Sequence, residues 1–128
     1  MVTTILMAED DSILREQIAF NFRAGFRMLE ADNKDQALSV LKLNLVDIAL
    51  VDLHLPPKLD GPEEGLELIS KISLECPYTF IIAMSGYASE WLAIESLDQG
   101  AHYFLPKPID LQRLRTLIRF FTGHEKIT

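Results

Sequence analysis

Short apolar segments alternate five times with amphipathic helical segments along this chain of 128 residues. The predicted strands are residues 3–8, 27–31, 46–53, 79–84 and 102–105. The first, third and fourth are nearly continuous apolar runs, which is typical of strands covered on both faces. The second and fifth have a weaker apolar pattern and are therefore expected nearer the sheet edges. Right-handed crossovers through the intervening helices favour a mostly parallel sheet. The alternation therefore predicts a doubly wound (βα)5 sandwich with a five-stranded parallel sheet.

The helical segments have recognisable ends. Residues 12–25 form the first predicted helix, with Gly25 as its C-cap, and residues 63–74 form the third. Asn33 can cap the second helix, and Asp110 can cap the last. The fourth covers residues 89–99, between a capping serine and a glycine. Apolar spacing predicts these inward-facing side chains: Ile13, Leu14, Ile18, Phe22, Ala37, Leu38, Leu41, Leu66, Ile69, Ile72 or Ser73, Leu92 or Ala93, Leu97, Leu111, Leu114, Leu117, Ile118 and Phe121.

Composition narrows the functional class. The net charge of −7 argues against general nucleic-acid binding. The single cysteine, Cys76, excludes an internal disulfide and a zinc cluster, and is read as a buried thiol without a task. The N-terminus has no signal-peptide pattern, and no apolar stretch reaches the length of a membrane span, so a cytoplasmic location is expected. Residues 1–122 are predicted to form one domain, followed by a frayed tail at 123–128.

Polar residues collect where the predicted strands end. Glu9 and Asp10 follow the first strand, Asp52 ends the third, Ser85 follows the fourth and Lys107 follows the fifth. Ligands of parallel α/β sheets bind at this rim. Clustered carboxylates repel one another, and Mg²⁺ or a similar hard cation relieves that repulsion. A carboxylate can act as a nucleophile towards phosphorus, while an ammonium group and a hydroxyl stabilise the phosphoryl oxygens. These residue types together predict a phosphoryl-transfer site.

Four segments of the chain contain these rim residues, in the order ILMAEDDS, LVDLHLP, IIAMSGYAS and GAHYFLPKPID. In these segments and in their order, the chain resembles the response-regulator receiver domains of two-component signalling. The resemblance extends over about residues 4–121. It implies a flavodoxin-like (CheY-like) fold with strand order 2-1-3-4-5, and a function as the phosphoacceptor of a phosphorelay.

The resemblance also implies a role for each acidic residue. Glu9 and Asp10 match the acidic pair that holds Mg²⁺ (or Mn²⁺), directly or through water. Asp52 matches the acceptor aspartate, which is also a metal ligand. His54 matches a position that contributes its backbone carbonyl to the metal, so its side chain is expected to point outward. Asp11 matches a loop or cap position.

The remaining matched positions concern the phosphoryl group and the response to it. Ser85 and Lys107 match the residues that bind the phosphoryl oxygens, and the Lys107–Pro108 bond is expected to be cis. Phe104 matches an aromatic switch residue, although plain packing is an equal alternative. His54 and Tyr87 are bulky residues at the two positions that flank the path of hydrolytic water, which predicts slow self-dephosphorylation.

A sensor histidine kinase, a phosphotransfer protein or a small phosphodonor is the expected source of the phosphoryl group. The fourth helix, fifth strand and fifth helix are the expected output face, for an effector or for a phosphorylation-dependent homodimer. The candidate partner residues are Trp91, Phe104, Arg115, Arg119 and Phe120. Trp91 is expected to be half-buried, and the arginines of the fifth helix are expected to face outward. The chain is read either as a stand-alone receiver or as a fragment of a larger regulator.

Residues 56–64 are longer than the usual receiver connection and are rich in Pro, Gly and acidic residues. This loop is read as a tolerated insertion, or as a shield or kinase contact beside Asp52.

Three other functional classes remain as alternatives. A phosphatase of the haloacid-dehalogenase type would need a second aspartate where this chain has His54. A flavodoxin-like electron carrier would need a phosphate loop where Glu9, Asp10 and Asp11 stand. The third alternative is a binding module with an inert site.

Overall fold

The computed structural model describes residues 2–87 and 89–123. Five strands alternate with five helices. The elements, in chain order, are β1 (Thr4–Ala8), α1 (Ser12–Phe22), β2 (Arg27–Ala31), α2 (Lys34–Leu43), β3 (Ile48–Asp52), α3 (Glu63–Glu75), β4 (Phe80–Ser85), α4 (Glu90–Gln99), β5 (Tyr103–Pro106) and α5 (Leu111–Thr122). The predicted tail at residues 124–128 lies outside the described residues.

The sheet has the order β2-β1-β3-β4-β5, and every neighbouring pair of strands is parallel. This confirms the predicted class, the strand order and the edge positions of β2 and β5. The register aligns the carboxyl ends of the three central strands: Ala8 pairs with Val51, and Asp52 pairs with Met84. Residues that follow β1, β3, β4 and β5 therefore meet at one rim.

Two apolar layers cover the sheet, and alternate side chains of each strand enter opposite layers. Leu6 and Ala8 of β1 pack in the layer formed with α2, α3 and α4. Ile5 and Met7 pack in the layer formed with α1 and α5. All five residues of β1 and all five of β3 are buried, which explains their lack of polar alternation.

The helix caps are largely those expected. Asn33, Ser89 and Asp110 accept N–H bonds at the starts of α2, α4 and α5. Gly100 ends α4 with φ 125°, a conformation that glycine adopts without strain. The prediction for α1 is wrong, because this helix ends at Phe22 with Arg23 as its cap. The N–H groups of Gly25 and Phe26 both bond to the carbonyl of Phe22, which turns the chain into β2.

Some predicted core positions are also wrong. Ile13 on α1 is 72% exposed, and Leu97 on α4 is 47% exposed. In α4 the buried neighbour of Leu92 is Ser96, whose hydroxyl donates to the carbonyl of Ala93 and is thereby satisfied.

The expected orientations of two candidate partner residues differ from the structure. Trp91 is 63% exposed rather than half-buried. Arg115 does not face outward, because it donates to the carbonyl of Asn21 and its guanidinium lies 4.7 Å from the centre of the Phe22 ring. It therefore packs against α1.

No helix within residues 2–87 and 89–123 combines the length and apolar character needed to cross a bilayer.

Candidate functional site

The ends of β1 and β3 bring three carboxylates together. Glu9, Asp10 and Asp52 each offer an oxygen, and these oxygens all lie within 4.8 Å of one another. Glu9 is 1% exposed and Asp52 is 3% exposed, while Asp10 is half-buried. The sequence-based grouping of these residues is therefore confirmed as a spatial cluster.

The environment of Glu9 disfavours its ionised form. Burial is the main reason why the pKa of Glu9 is raised, and the nearby charge of Asp52 adds to the effect. The ammonium group of Lys107 opposes this shift. The pKa of Asp10 is also raised, first by burial and then by the charge of Glu9. Burial and mutual repulsion therefore both disfavour the ionised forms of Glu9 and Asp10.

Lys107 is the cation that faces this cluster. Its Nζ lies 2.7 Å from Glu9 Oε1 and 3.1 Å from Asp52 Oδ2. The backbone N–H of Lys107 donates to the carbonyl of Ser85, which joins the ends of β4 and β5. The Lys107–Pro108 peptide is cis, as the resemblance implies, and a second cis peptide at Pro56–Pro57 was not predicted. The net pKa of Lys107 is raised: burial lowers it, but the contacts with Glu9 and Asp52 outweigh burial.

Ser85 lies at the end of β4 with its side chain fully buried. Its Oγ accepts the backbone N–H of Tyr87 at 3.0 Å. It also lies 3.0 Å from Nε2 of His54. The predicted outward orientation of the His54 side chain is therefore wrong. Nδ1 of the same ring lies 3.1 Å from the carbonyl oxygen of Gly61, and the aromatic ring of Tyr87 packs against it with centroids 4.7 Å apart.

Asp52 is held from both sides. Its Oδ1 accepts the backbone N–H of His54 at 3.0 Å, while Oδ2 faces Lys107. This fixes the orientation of the carboxylate at the end of β3. The carboxylate oxygens of Asp52 thus face both the acidic cluster and its cation.

Phe104 on β5 is half-buried and packs against the layer formed with α2, α3 and α4. This contact satisfies the packing interpretation, and a switch role for Phe104 stays a prediction. Asp11 accepts the N–H groups of Ile13 and Leu14 and caps α1, as predicted.

Two residues that support the site were missed from the sequence. Arg15 donates to the backbone carbonyl of Glu9 at 2.7 Å and pairs with Glu30 at 3.0 Å, so it braces the turn that carries the acidic pair. Gly65 lies in the first turn of α3, against the end of β3, where an added Cβ would lie 2.3 Å from Leu53 Cα. The sequence gives only weak signals of these two roles: an arginine four positions after an acidic turn, and a glycine near the start of a helix. Both roles depend on contacts with residues that are distant in sequence.

The residues present fit a hard divalent cation. The three carboxylates supply oxygen ligands from one rim, which is the donor type that Mg²⁺ prefers. Oε1 of Glu9 is buried and, among the described residues, makes no well-directed hydrogen bond despite its ionic contact with Lys107. Burying a carboxylate oxygen without hydrogen-bond donors costs free energy, and a bound cation would reduce that cost at Oε1 of Glu9.

Known proteins resemble this chain over nearly its whole length. The family model for the response regulator receiver domain matches residues 5–119. The response regulator protein PilR of Pseudomonas aeruginosa is 34% identical over 114 residues, which are 88% of this chain and 24% of PilR. Two other curated relatives are matched over 30% and 49% of their lengths. The chain therefore spans less than half of these relatives.

Solved structures give the same picture. A response regulator from Thermotoga maritima has a TM-score of 0.84 and 26% identity, over 96% of this chain and 99% of that one. A response regulator from Burkholderia pseudomallei, solved with a phosphorylated aspartic acid, a calcium ion and citrate, has a TM-score of 0.79 and 28% identity, over 88% of this chain and 64% of that one. The fold, the sequence match over residues 5–119 and the strand-end cluster agree, and the chain belongs to the family of response regulator receiver domains, the signalling modules of two-component systems.

Proposed function

We propose that Asp52 accepts a phosphoryl group in a reaction that depends on a divalent cation held by Glu9, Asp10 and Asp52. The observation that carries this proposal is the cluster of three carboxylates facing one ammonium group at the carboxyl edge of the sheet. The phosphorylated aspartic acid in the related Burkholderia pseudomallei structure supports the same chemistry. The backbone carbonyl of His54 is the further metal ligand in this proposal.

In the proposed reaction, a carboxylate oxygen of Asp52 attacks phosphorus while the bond from phosphorus to the donor's leaving group breaks. The leaving group departs with the bonding electron pair, and an aspartyl phosphate remains. A bound Mg²⁺ supplies positive charge that balances the phosphoryl oxygens during transfer. Lys107 then pairs with a phosphoryl oxygen, and the hydroxyl of Ser85 donates a hydrogen bond to another.

The phosphoryl group comes from a phosphohistidine on a sensor kinase or phosphotransfer protein, or from a small phosphodonor. We assign no turnover of external substrates to this domain. It promotes its own phosphorylation and a slow dephosphorylation, and its output is a change of surface rather than a product.

The proposed output surface comprises α4, β5 and α5. Trp91 on α4 is exposed, and so are Arg119 and Phe120 on α5. Phe104 would respond from the interior when Ser85 turns to the phosphoryl group. The surface is proposed to bind an effector or a second phosphorylated copy. Arg115 is a weaker candidate than the sequence implied, since it is held against α1.

The test is exposure to acetyl phosphate with Mg²⁺, followed by intact-mass measurement. Wild type should gain the mass of one phosphoryl group, while D52A should gain none and a chelator should abolish the gain in wild type. D98A, which removes an exposed aspartate on α4, is the matched control and should behave like wild type. Equal labelling of D52A and wild type would refute the assignment of Asp52.

A further inference from the structure

The His54 ring joins two parts of the molecule that are distant in sequence. One ring nitrogen, Nδ1, lies 3.1 Å from the carbonyl oxygen of Gly61, in the long connection between β3 and α3. The other, Nε2, lies 3.0 Å from Oγ of Ser85 at the end of β4. The ring is half-buried, and Tyr87 covers it. It therefore bridges the connection and the proposed phosphoryl-binding hydroxyl.

The chemistry of the two partners determines the direction of both hydrogen bonds in a neutral ring. The carbonyl oxygen of Gly61 can only accept, so Nδ1 must carry the proton. Nε2 is then an acceptor, and the hydroxyl of Ser85 must donate to it. Since Ser85 Oγ already accepts the N–H of Tyr87, its single proton is committed to His54.

The proposed hydrogen bond from Ser85 to the phosphoryl group requires this same hydroxyl proton. A phosphoryl oxygen only accepts hydrogen bonds, so the hydroxyl of Ser85 can serve His54 or the phosphoryl group, but not both at once. Phosphorylation of Asp52 therefore competes directly with the bond to His54.

Within residues 2–87 and 89–123, the loop at residues 57–61 is weakly held. Residues 57–60 are exposed, and the backbone contact inside the loop, from Gly61 N–H to the carbonyl of Lys58, is long at 3.4 Å. The His54–Gly61 bond is thus a principal tether of this loop to the site. Loops with few buried contacts open at low free-energy cost.

We propose that His54 is a positioning residue that couples Ser85 to the loop at residues 57–61, so that formation of the aspartyl phosphate releases this loop. The inference rests on the proposed function, because the phosphoryl group is what draws the Ser85 hydroxyl away. It gives the receiver a second phosphorylation-dependent surface, at the β3–α3 connection, in addition to the α4–β5–α5 surface.

Amide hydrogen exchange of residues 55–64, followed by mass spectrometry, tests the coupling in the full chain. Wild type should exchange roughly fivefold faster in this segment after acetyl phosphate and Mg²⁺ than before, the factor expected when one ordinary hydrogen bond is lost. H54F keeps a ring of similar size without its nitrogens. It should exchange at the fast rate already without the phosphodonor, and adding the phosphodonor should not accelerate the exchange further.

H54N is the conservative control. Its amide can keep the bond to the Gly61 carbonyl but cannot reach Ser85, so the loop should no longer respond to phosphorylation. A purely structural role for His54 would leave that response intact. A response in H54N equal to that of wild type would therefore overturn the proposal.

Two further outcomes separate the coupling from the proposed function. Complete phosphorylation of wild type with no change in loop exchange overturns the coupling and leaves Asp52 as the acceptor. A wild type that gains no mass overturns the proposed function and, with it, the release of the loop. Slow exchange in unphosphorylated H54F, equal to wild type, overturns the tether whatever the mass measurement gives.

Discussion

Replacing Gly65 with alanine tests the close packing of α3 against the strand that carries Asp52. An added Cβ would lie 2.3 Å from Leu53 Cα and 2.5 Å from the carbonyl oxygen of Asp52. The first distance is about 1 Å short of the roughly 3.5 Å at which carbon atoms meet without repulsion. Both contacts are with backbone, so the first turn of α3 or the end of β3 has to move.

Displacing packed backbone in this way costs about 1–3 kcal/mol. Alanine is favoured over glycine inside a helix by up to about 1 kcal/mol, which offsets part of that cost. We expect G65A to lose about 1–2 kcal/mol of unfolding free energy, a fall of several degrees in Tm. Because the movement occurs at Asp52, we also expect weaker Mg²⁺ binding by calorimetric titration.

G25A is the matched control for this substitution. Nothing lies within 4 Å of a Cβ added at Gly25, and the residue does not have a positive φ, so its stability and Mg²⁺ affinity should match wild type. Urea denaturation of both variants measures the difference. If G65A were as stable as G25A and bound Mg²⁺ equally well, the reasoning that α3 abuts the end of β3 would be refuted.

Three further predictions concern pH, helix capping and the lifetime of the phosphorylated state. The pKa of Glu9 in the folded protein is raised above its ordinary value of 4.5, mainly by burial, so the folded state binds this proton more tightly than the unfolded state. The unfolding free energy of metal-free protein should therefore fall as the pH rises above 4.5. This fall should be smaller in E9Q, and smaller in wild type with Mg²⁺ bound. A pH profile of E9Q identical to that of wild type would contradict the prediction. D110A should lose about 1 kcal/mol, because Asp110 caps α5 through the N–H groups of Gln112 and Arg113; unchanged urea denaturation would count against it. Phosphorylated wild type should persist well beyond seconds in a chase without phosphodonor, since His54 and Tyr87 pack together beside Ser85 and crowd the approach of water; decay within seconds would disprove this.

Features that depend on local pattern were predicted correctly from the sequence. The fully buried runs of β1 and β3 lack polar alternation, and this marks them as strands covered on both faces. The capping residues Asn33, Ser89 and Asp110 act within three residues of their own positions. The grouping of Asp10, Asp52 and Lys107 followed from topology, because the carboxyl ends of parallel strands meet at one rim.

The errors concern side chains whose surroundings come from distant parts of the chain. Ile13 and Leu97 are spaced like core residues of an amphipathic helix, yet both are exposed. Spacing alone does not determine how wide the buried face of a helix is. Arg115 appeared to face outward by position, yet α1 provides the carbonyl of Asn21 and the ring of Phe22 that bind it, more than ninety residues away.

The amino-acid sequence by itself determined the order of elements, the parallel sheet and the identity of the residues at its rim. Tertiary structure alone decided that the His54 ring lies between Gly61 and Ser85, and that Glu9 is buried against Lys107. The physical reason is range. Strand burial patterns and helix caps act between near neighbours, whereas the orientation of a ring or the desolvation of a carboxylate depends on atoms that only the folded chain brings together.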